Sequence, residues 1–354
     1  MGMLGQEKLQ LDDLGPLAPD QNQKAGSKED LAQRALALTT NEFVQERIVP
    51  SLSAWGLNGY ADYSTAVLQN TGTGRLTLRY AFGPNVVIAK VFSDHLGSQS
   101  FETTVRLWNS GFNRDSRYQV PEPIAFFPDV NLLLMREAPG MPMTASLEPD
   151  RGHELVAYSC KAAQWLGELH GSSPLFGKAE TDVQSLKLFR LATRLVKAAS
   201  LHPEQLDLLR ELFDLISGRI HALSSVRTLV QTHGRYHHDH VFVSNAATVV
   251  IDLDRCCPAD PAKDVAEFIS VFRTACFKRG LSMDCIEKAT HAFLQEYLAA
   301  MPEAADAVGC YWATAVFHDL LSGIKKCRAK GNRTWEARQQ FYLAEINRAL
   351  EMQS

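Results

Sequence analysis

The chain has 354 residues, 45% hydrophobic and 21% charged, with a formal net charge of −4; that is enough apolar material for two packed lobes or domains, and no surplus of cations draws it toward nucleic acid. No apolar run reaches the roughly 18–20 residues that span a bilayer, residues 1–30 are too polar and acidic for a secretion signal, and seven scattered cysteines, with Cys256 and Cys257 adjacent, fit neither a disulfide framework nor a zinc ribbon. The expectation is a cytoplasmic protein with reduced thiols and no membrane or nucleic-acid partner.

Residues 1–28 are rich in Gly, Pro, Gln, Asp and Lys without a sustained period, and are expected to form a mobile tail. Ser27 is placed to cap a helix from about Lys28 to Leu38, and a second helical run from Thr40 toward Ile48 is expected to stop before Pro50. From Tyr60 the pattern changes to strands. Leu76, Leu78 and Tyr80 alternate with polar residues, 82–85 turns, and Val86 to Phe92 runs apolar around Lys90. A helix from near Ser98 carries Phe101, Val105 and Trp108 on one face, and two short strands follow at Ile124–Phe127 and Leu132–Met135. Residues 29–137 are thus predicted to be a first lobe, a small sheet with leading helices. From about Ser146 helical spacing takes over, at 154–170, 186–199, 203–223, 261–279, 283–301 and in one long run to Leu350. Residues 138–354 are predicted to be a helical second lobe with an embedded hairpin, so the fold class is α+β in two lobes.

The embedded hairpin belongs to the most informative stretch, Thr232 to Asp254. A loop dense in histidine (Thr-His-Gly-Arg-Tyr-His-His-Asp-His) precedes two apolar runs, Val241–Val243 and Val249–Ile251, joined by Ser244, Asn245 and Ala246, which suit a turn. Asp252 and Asp254 stand where the second strand ends, so a rigid element positions them.

This stretch resembles the catalytic loop and metal-binding segment of the aminoglycoside phosphotransferase and choline kinase family, which has a protein-kinase-like fold. The family carries His-Gly-Asp-x-His-x-x-Asn, a hairpin, then Ile-Asp-Phe-Asp. His233, Gly234 and His237 match. Arg235 stands at the family's catalytic Asp and His240 at its metal-binding Asn. Asp260-Pro261 and Asp264 resemble the family's Asp-Pro-x-x-Asp-Leu-Ala, whose last Asp steadies the loop. The resemblance extends over about residues 60–345. It implies ATP and Mg2+ as cofactors and a small-molecule acceptor, with the nucleotide in a cleft between the lobes.

Phosphoryl transfer needs mostly positioning and charge neutralisation. Lys90 lies in a buried-looking strand, where an ammonium needs a partner. Glu102, the only glutamate in the helical stretch that follows, is the candidate, and the pair would match the family's phosphate-gripping lysine and helix glutamate; a strand-edge lysine beside a solvated glutamate is the plainer alternative. Gly72 and Gly74, just ahead of the strand at Leu76, would let backbone amides approach phosphate, although a hairpin turn explains them equally well. Leu132 to Gly140 resembles the family's last small-lobe strand and hinge, which would place Glu137 and Ala138 at the adenine edge. Asp252 would hold magnesium, with Asp254 assisting, and His240 would take the carboxamide's place as a ligand.

The departures keep several readings open. Arg235 cannot accept a proton, but it can neutralise phosphate. Asp239 is the acid left in the loop and a candidate displaced base, and His237 matches a histidine that is usually structural. Imidazole at His240 suits transition metals better than magnesium. Arg235, His237, Asp239 and Asp252 form the candidate catalytic set. The chain is then a divergent phosphotransferase acting on a small-molecule hydroxyl, a nucleotide-binding module without turnover, or a nucleotide-free scaffold. From a different class, Arg235-x-His237-x-Asp239-His240 falls one residue short of the His-x-His-x-Asp-His zinc motif of metallo-hydrolases. The late basic residues Lys325, Lys326, Arg328, Lys330 and Arg333 are either a solvated helix end or, if they line the substrate site, the mark of an anionic acceptor. Trp312, Phe317 and Trp335 nearby are expected in the core.

Overall fold

The structure is a computed structural model and describes residues 28–53, 62–70, 75–94, 96–148, 151–172, 174–180, 183–223, 227–326 and 333–352. The expected N-terminal tail and the Gly72 and Gly74 turn lie outside these residues. The backbone divides into two compact units, Met1–Met141 with Phe242–Arg255, and Pro142–Val241 with Cys256–Ser354. The hairpin expected with the helical half therefore groups with the sheet, together with both acids at its end.

The first unit begins with α1 (Lys28–Leu38), α2 (Asn41–Phe43) and α3 (Val49–Ser51), with a π turn at Val44–Ile48. Thr40 caps α2, its Oγ1 accepting from the Phe43 N–H at 3.3 Å. Contrary to expectation the helical run does not stop before Pro50. In the wider turn Val49 donates to Val44, and Pro50 falls at the start of α3, where its missing N–H is not needed.

Strands β1 (Ser64–Asn70), β2 (Arg75–Phe82), β3 (Asn85–Phe92), β5 (Pro123–Phe127) and β6 (Leu132–Arg136) form a sheet in the order β1-β2-β3-β6-β5. Its pairs are antiparallel, and Lys90 lies opposite Thr77 on one side and Leu133 on the other. The alternation read in β2 is real: Leu76, Leu78, Tyr80 and Phe82 are buried on one face, packed with Leu38, Val44, Ile48 and Leu52 of the leading helical segment. The other face carries α4 (Leu96–Asn109), whose Phe101 and Val105 meet Phe92, Leu133 and Met135.

A second sheet was not foreseen. Strand β4 (Tyr118–Gln119) pairs in parallel with β10 (Thr248–Val250), which also bonds to β9 (Val241–Val243). The turn between β9 and β10 closes as expected, Ser244 N–H donating to the Ala247 carbonyl at 2.9 Å. Gly140 (φ +102°) lies against it, and a Cβ there would meet the Val243 carbonyl oxygen at 2.8 Å. The chain then leaves the unit through β7 (Met141–Pro142).

The second unit is helical: α5 (Glu154–Ser172), α6 (Val183–Leu201), α7 (Leu206–Ala222), α8 (Ala262–Lys278), α9 (Met283–Ala300), α10 (Ala305–Lys326) and α11 (Arg333–Glu351). A two-stranded antiparallel ribbon of β8 (Val230–Thr232) and β11 (Cys257–Ala259) brackets the histidine loop in sequence. The long final run is two helices. Trp312 and Phe317 are fully buried core residues, and Gly323 leaves the space that the Trp335 ring fills, since a Cβ would meet that ring at 2.2 Å. Of the basic stretch, Lys325 and Lys326 are exposed at the end of α10, and Arg328 and Lys330 lie outside the described residues. Among the described residues no helix is long and apolar enough to cross a membrane.

Candidate functional site

In the first unit β3 and the end of β10 bring Lys90, Asp252 and Asp254 together. The Lys90 ammonium pairs with Asp252 and lies 3.3 Å from Asp254 Oδ1. Asp254 is 2% exposed; Ser100 Oγ donates to its Oδ1 at 2.8 Å and Arg75 Nη1 lies 2.9 Å from its Oδ2. Burial works against the Lys90 charge, but the Asp252 and Asp254 carboxylates more than offset it and hold the ammonium above its ordinary range. Asp252 has φ 70°, a left-handed conformation rare outside glycine. Such strain collects where a side chain must be aimed, and here it follows directly on β10.

The expected Lys90–Glu102 pair is not formed. Ser100 lies on the buried face of α4 while Glu102 is only half-buried. Two residues turn a helix by about 200°, so both cannot face Asp254. The lysine takes its partners from the hairpin instead. At the end of β6, Glu137 also differs in part from expectation. Its N–H donates to the Val86 carbonyl at 3.0 Å and its carboxylate pairs with Arg79 at 2.8 Å. The Glu137 carbonyl and the Ala138 N–H are the groups left for a ligand edge. Both residues line a cavity of about 510 Å³ with Val86, Trp108, Arg136 and Ala247.

In the second unit the histidine loop is held by its backbone. Asp264, 1% exposed near the start of α8, accepts from the His233 N–H at 2.6 Å and the Gly234 N–H at 3.0 Å. Its third partner is His170 Nε2 at 3.2 Å, and His170 Nδ1 meets the Tyr297 hydroxyl at 2.6 Å. Burial alone would raise the Asp264 carboxyl, but the His170 hydrogen bond and the His170 and His233 rings outweigh it, and it lies below its ordinary value. Tyr236 is fully buried, stacked on Trp165 and Phe268, and donates to the Ala162 carbonyl at 2.8 Å. Asp260 is anchored by Arg227 at 2.7 Å and Tyr311 at 3.1 Å.

The remaining loop side chains form a cluster. His237 and His240 stack with centroids 5.1 Å apart, Asp239 lies beside both, and Glu267 Oε1 is 3.0 Å from His237 Nε2. Arg235 is exposed. Arg75, Ser100, His170 and Glu267 were missed in the sequence. Only Glu267 left a signal, three residues after Asp264 and so on the same side of α8.

The Asp252 and Asp254 carboxylates already converge on one cation, the Lys90 ammonium, and as hard oxygen donors they fit magnesium. The expected third ligand, His240, sits among imidazoles, a donor set that does not suit magnesium.

The sequence pattern of the phosphotransferase enzyme family matches residues 99–305, more than half of the chain. No curated protein sequence matches it. Among solved structures, a choline kinase from Cryptosporidium parvum is similar with a TM-score of 0.58 at 12% identity, over 88% of this chain and 98% of that one. A choline/ethanolamine kinase family protein from Mesorhizobium loti reaches 0.54 at 15% identity, over 92% and 95%. An amicoumacin kinase in complex with AMP-PNP and Ca2+ reaches 0.56 at 12% identity, over 92% and 97%. At such identities the likeness establishes the fold, which is protein-kinase-like. With the family pattern running from α4 through the histidine loop and both acids to α10, the chain belongs to the phosphotransferase enzyme family.

Proposed function

We propose that the protein is an ATP-dependent phosphotransferase acting on a small-molecule hydroxyl, with a divergent catalytic loop. The convergence of Lys90, Asp252 and Asp254 in the first unit carries the proposal. Lys90 neutralises phosphate oxygens, as a lysine held by carboxylates is ready to do. Magnesium held by Asp252 and Asp254 would neutralise the charge that builds on the transferring phosphate. The Glu137 carbonyl and Ala138 N–H meet the purine edge, and Gly72 and Gly74 cover the phosphates. In the loop, Arg235 adds positive charge toward an anionic ligand and Asp239 orients the acceptor hydroxyl. A loose transition state needs little early proton removal, so loss of an acid at position 235 is compatible with transfer. The nucleotide and divalent cation held by the similar amicoumacin kinase support the same choice of cofactor class.

One observation favours a second reading. Arg235 is exposed and cannot take a proton, which suits a module that binds nucleotide without turnover. A thermal-shift panel of ATP, GTP and ADP, each with magnesium, manganese or chelator, followed by a turnover assay, separates the two. A metal-dependent shift with turnover that Asp252→Asn lowers by roughly 100-fold or more supports the enzyme. A shift without turnover supports the binding module. Neither shift nor turnover ends both readings and leaves a nucleotide-free scaffold.

A further inference from the structure

In the second unit, α6 and α7 pack on α10 and on each other. A solvent-facing helix surface is ordinarily polar, but these two are not. On α6, Phe189 and Val196 are 70% and 65% exposed; on α7, Leu208 and Leu215 are 38% and 51% exposed. Each pair is spaced by seven residues, so each makes a line along one side of its helix, which is the spacing of a helix–helix seam. Single exposed apolar residues are ordinary. Two matched lines on neighbouring helices make a patch of the kind that meets a partner.

Charge sorts the two helices. The sequence of α6 contains no acid, and the exposed Arg190 and Lys197 directly follow Phe189 and Val196. On α7 both the order and the sign reverse: the exposed Asp207 and Asp214 directly precede Leu208 and Leu215, with Glu211 between them. Of the cations on α7, Arg219 donates to the Leu350 carbonyl at 2.9 Å and Arg210 lies 4.0 Å from Asp214, so the outward face stays acidic on balance. An open groove of about 630 Å³ lies on this face, lined by Asp207, Glu211, Asp214, Leu215 and Gly218 among others. A Cβ at Gly218 would meet nothing within 4 Å, so the missing side chain widens the groove and serves no close contact inside the chain.

A surface that is basic on one helix and acidic on the next is complementary to itself. An anionic membrane or nucleic acid would be repelled by the α7 acids, whereas a second copy satisfies both signs at once. We propose that the α6–α7 face is the interface of a two-fold homodimer, with α6 of each copy seated on α7 of the other. Phe189 and Val196 pack on the partner's Leu208 and the partner's Leu215, and Arg190 and Lys197 meet the partner's Asp207 and the partner's Asp214. Two helices about 25 Å long and about 10 Å apart offer roughly 500 Å² in projection and more as accessible surface, approaching the roughly 800 Å² per partner of a stable complex. The interface belongs to the second unit alone and does not depend on the proposed phosphotransfer.

The test is sedimentation equilibrium of the full chain without nucleotide, from about 1 to 100 μM. Expected at the upper end is a mass twice the 39.3 kDa of the chain, with weaker association at high salt. Phe189→Glu and Leu215→Glu alter exposed side chains and each weaken the dimer more than about 10-fold, and cooperative melting curves establish that both are folded. The double variants Arg190→Glu/Lys197→Glu and Asp207→Lys/Asp214→Lys are each monomeric, since like charges then face each other across the interface. Mixed together they associate, because in the mixed dimer both contacts of α6 on α7 are again opposite in sign. A monomer throughout the range, a dimer that neither apolar variant weakens, or double variants that stay apart on mixing would each overturn the interface. A monomer that instead sediments with vesicles of anionic phospholipid would overturn it in favour of a membrane surface. A dimer without any nucleotide-dependent thermal shift would count against the proposed function and leave the interface standing.

Discussion

The acid cluster of the first unit and the histidine loop of the second are held in place by different means. Around Asp254 everything is side chain on side chain: Lys90, Arg75 and Ser100 all converge on one carboxylate that is 2% exposed. Removing Lys90 or Arg75 would leave the buried Asp254 carboxylate with one cation instead of two. The loop is held mainly through its main chain, by two N–H groups on Asp264, with one side-chain anchor, the Tyr236 hydroxyl on the Ala162 carbonyl. Backbone N–H groups are the same whatever the residue, so side chains pointing away from the clamp are free to change. Arg235 and His240, the two positions read from the sequence as departures from the family's loop, fall there. One region is constrained in residue identity and the other in backbone path.

Breaking the clamp gives the largest expected effect. Asp264→Ala strands two backbone donors and the His170 ring, at a cost of about 3–5 kcal/mol in unfolding free energy, measured by urea denaturation. Asp264→Asn, which keeps one acceptor oxygen, costs less. The same carboxyl gives a pH signature. Its folded pKa lies below the ordinary value of 3.8, so in the acid range the unfolded chain binds more protons than the folded one. The stabilisation is complete above the unfolded value and is lost as pH falls through the folded one. Acid-melt curves for Asp264→Asn should therefore be flatter below about pH 4 than those of the parent; parallel curves would mean that the clamp does not need the charge.

The next effect belongs to the acid cluster. Asp252→Asn keeps the shape and tolerates the left-handed backbone, but removes a charge beside Lys90. Turnover should fall roughly 100- to 1000-fold, while the melting temperature without nucleotide moves far less than in Asp264→Ala. Equal losses of stability in the two variants would erase the contrast between the two regions.

The sequence disclosed the parts governed by period and local chemistry. The burial alternation of β2 and the turn at Ser244 follow from spacing and turn chemistry, and Asp264 was picked out by its resemblance to the last Asp of the family's Asp-Pro-x-x-Asp. What stayed hidden depends on partners distant in the chain. The choice of Lys90 partner was set by which turn of α4 faces the hairpin. The grouping of 242–255 with the sheet was set by β4, two residues long and too short to leave a pattern. The histidines were visible as a zinc-like string, but the contacts of their ring nitrogens with Glu267 and with the Arg235 carbonyl come from α8 and from the loop's own path.

The smallest effect is the sharpest test of that Lys90 assignment. Ser100→Ala removes a 2.8 Å hydrogen bond to a buried carboxylate, which is worth about 1.5–3 kcal/mol when the acceptor is charged. Glu102→Gln alters a half-buried side chain with no ion pair to Lys90, and should stay within about 0.5 kcal/mol of the parent. Nucleotide affinity follows the same order, because only Ser100 touches the carboxylate that shares the Lys90 ammonium. If Glu102→Gln proved the more damaging of the two, by denaturation and by nucleotide thermal shift alike, the lysine would be swinging to the helix glutamate in the nucleotide-bound state, and the pairing seen here would be its resting arrangement.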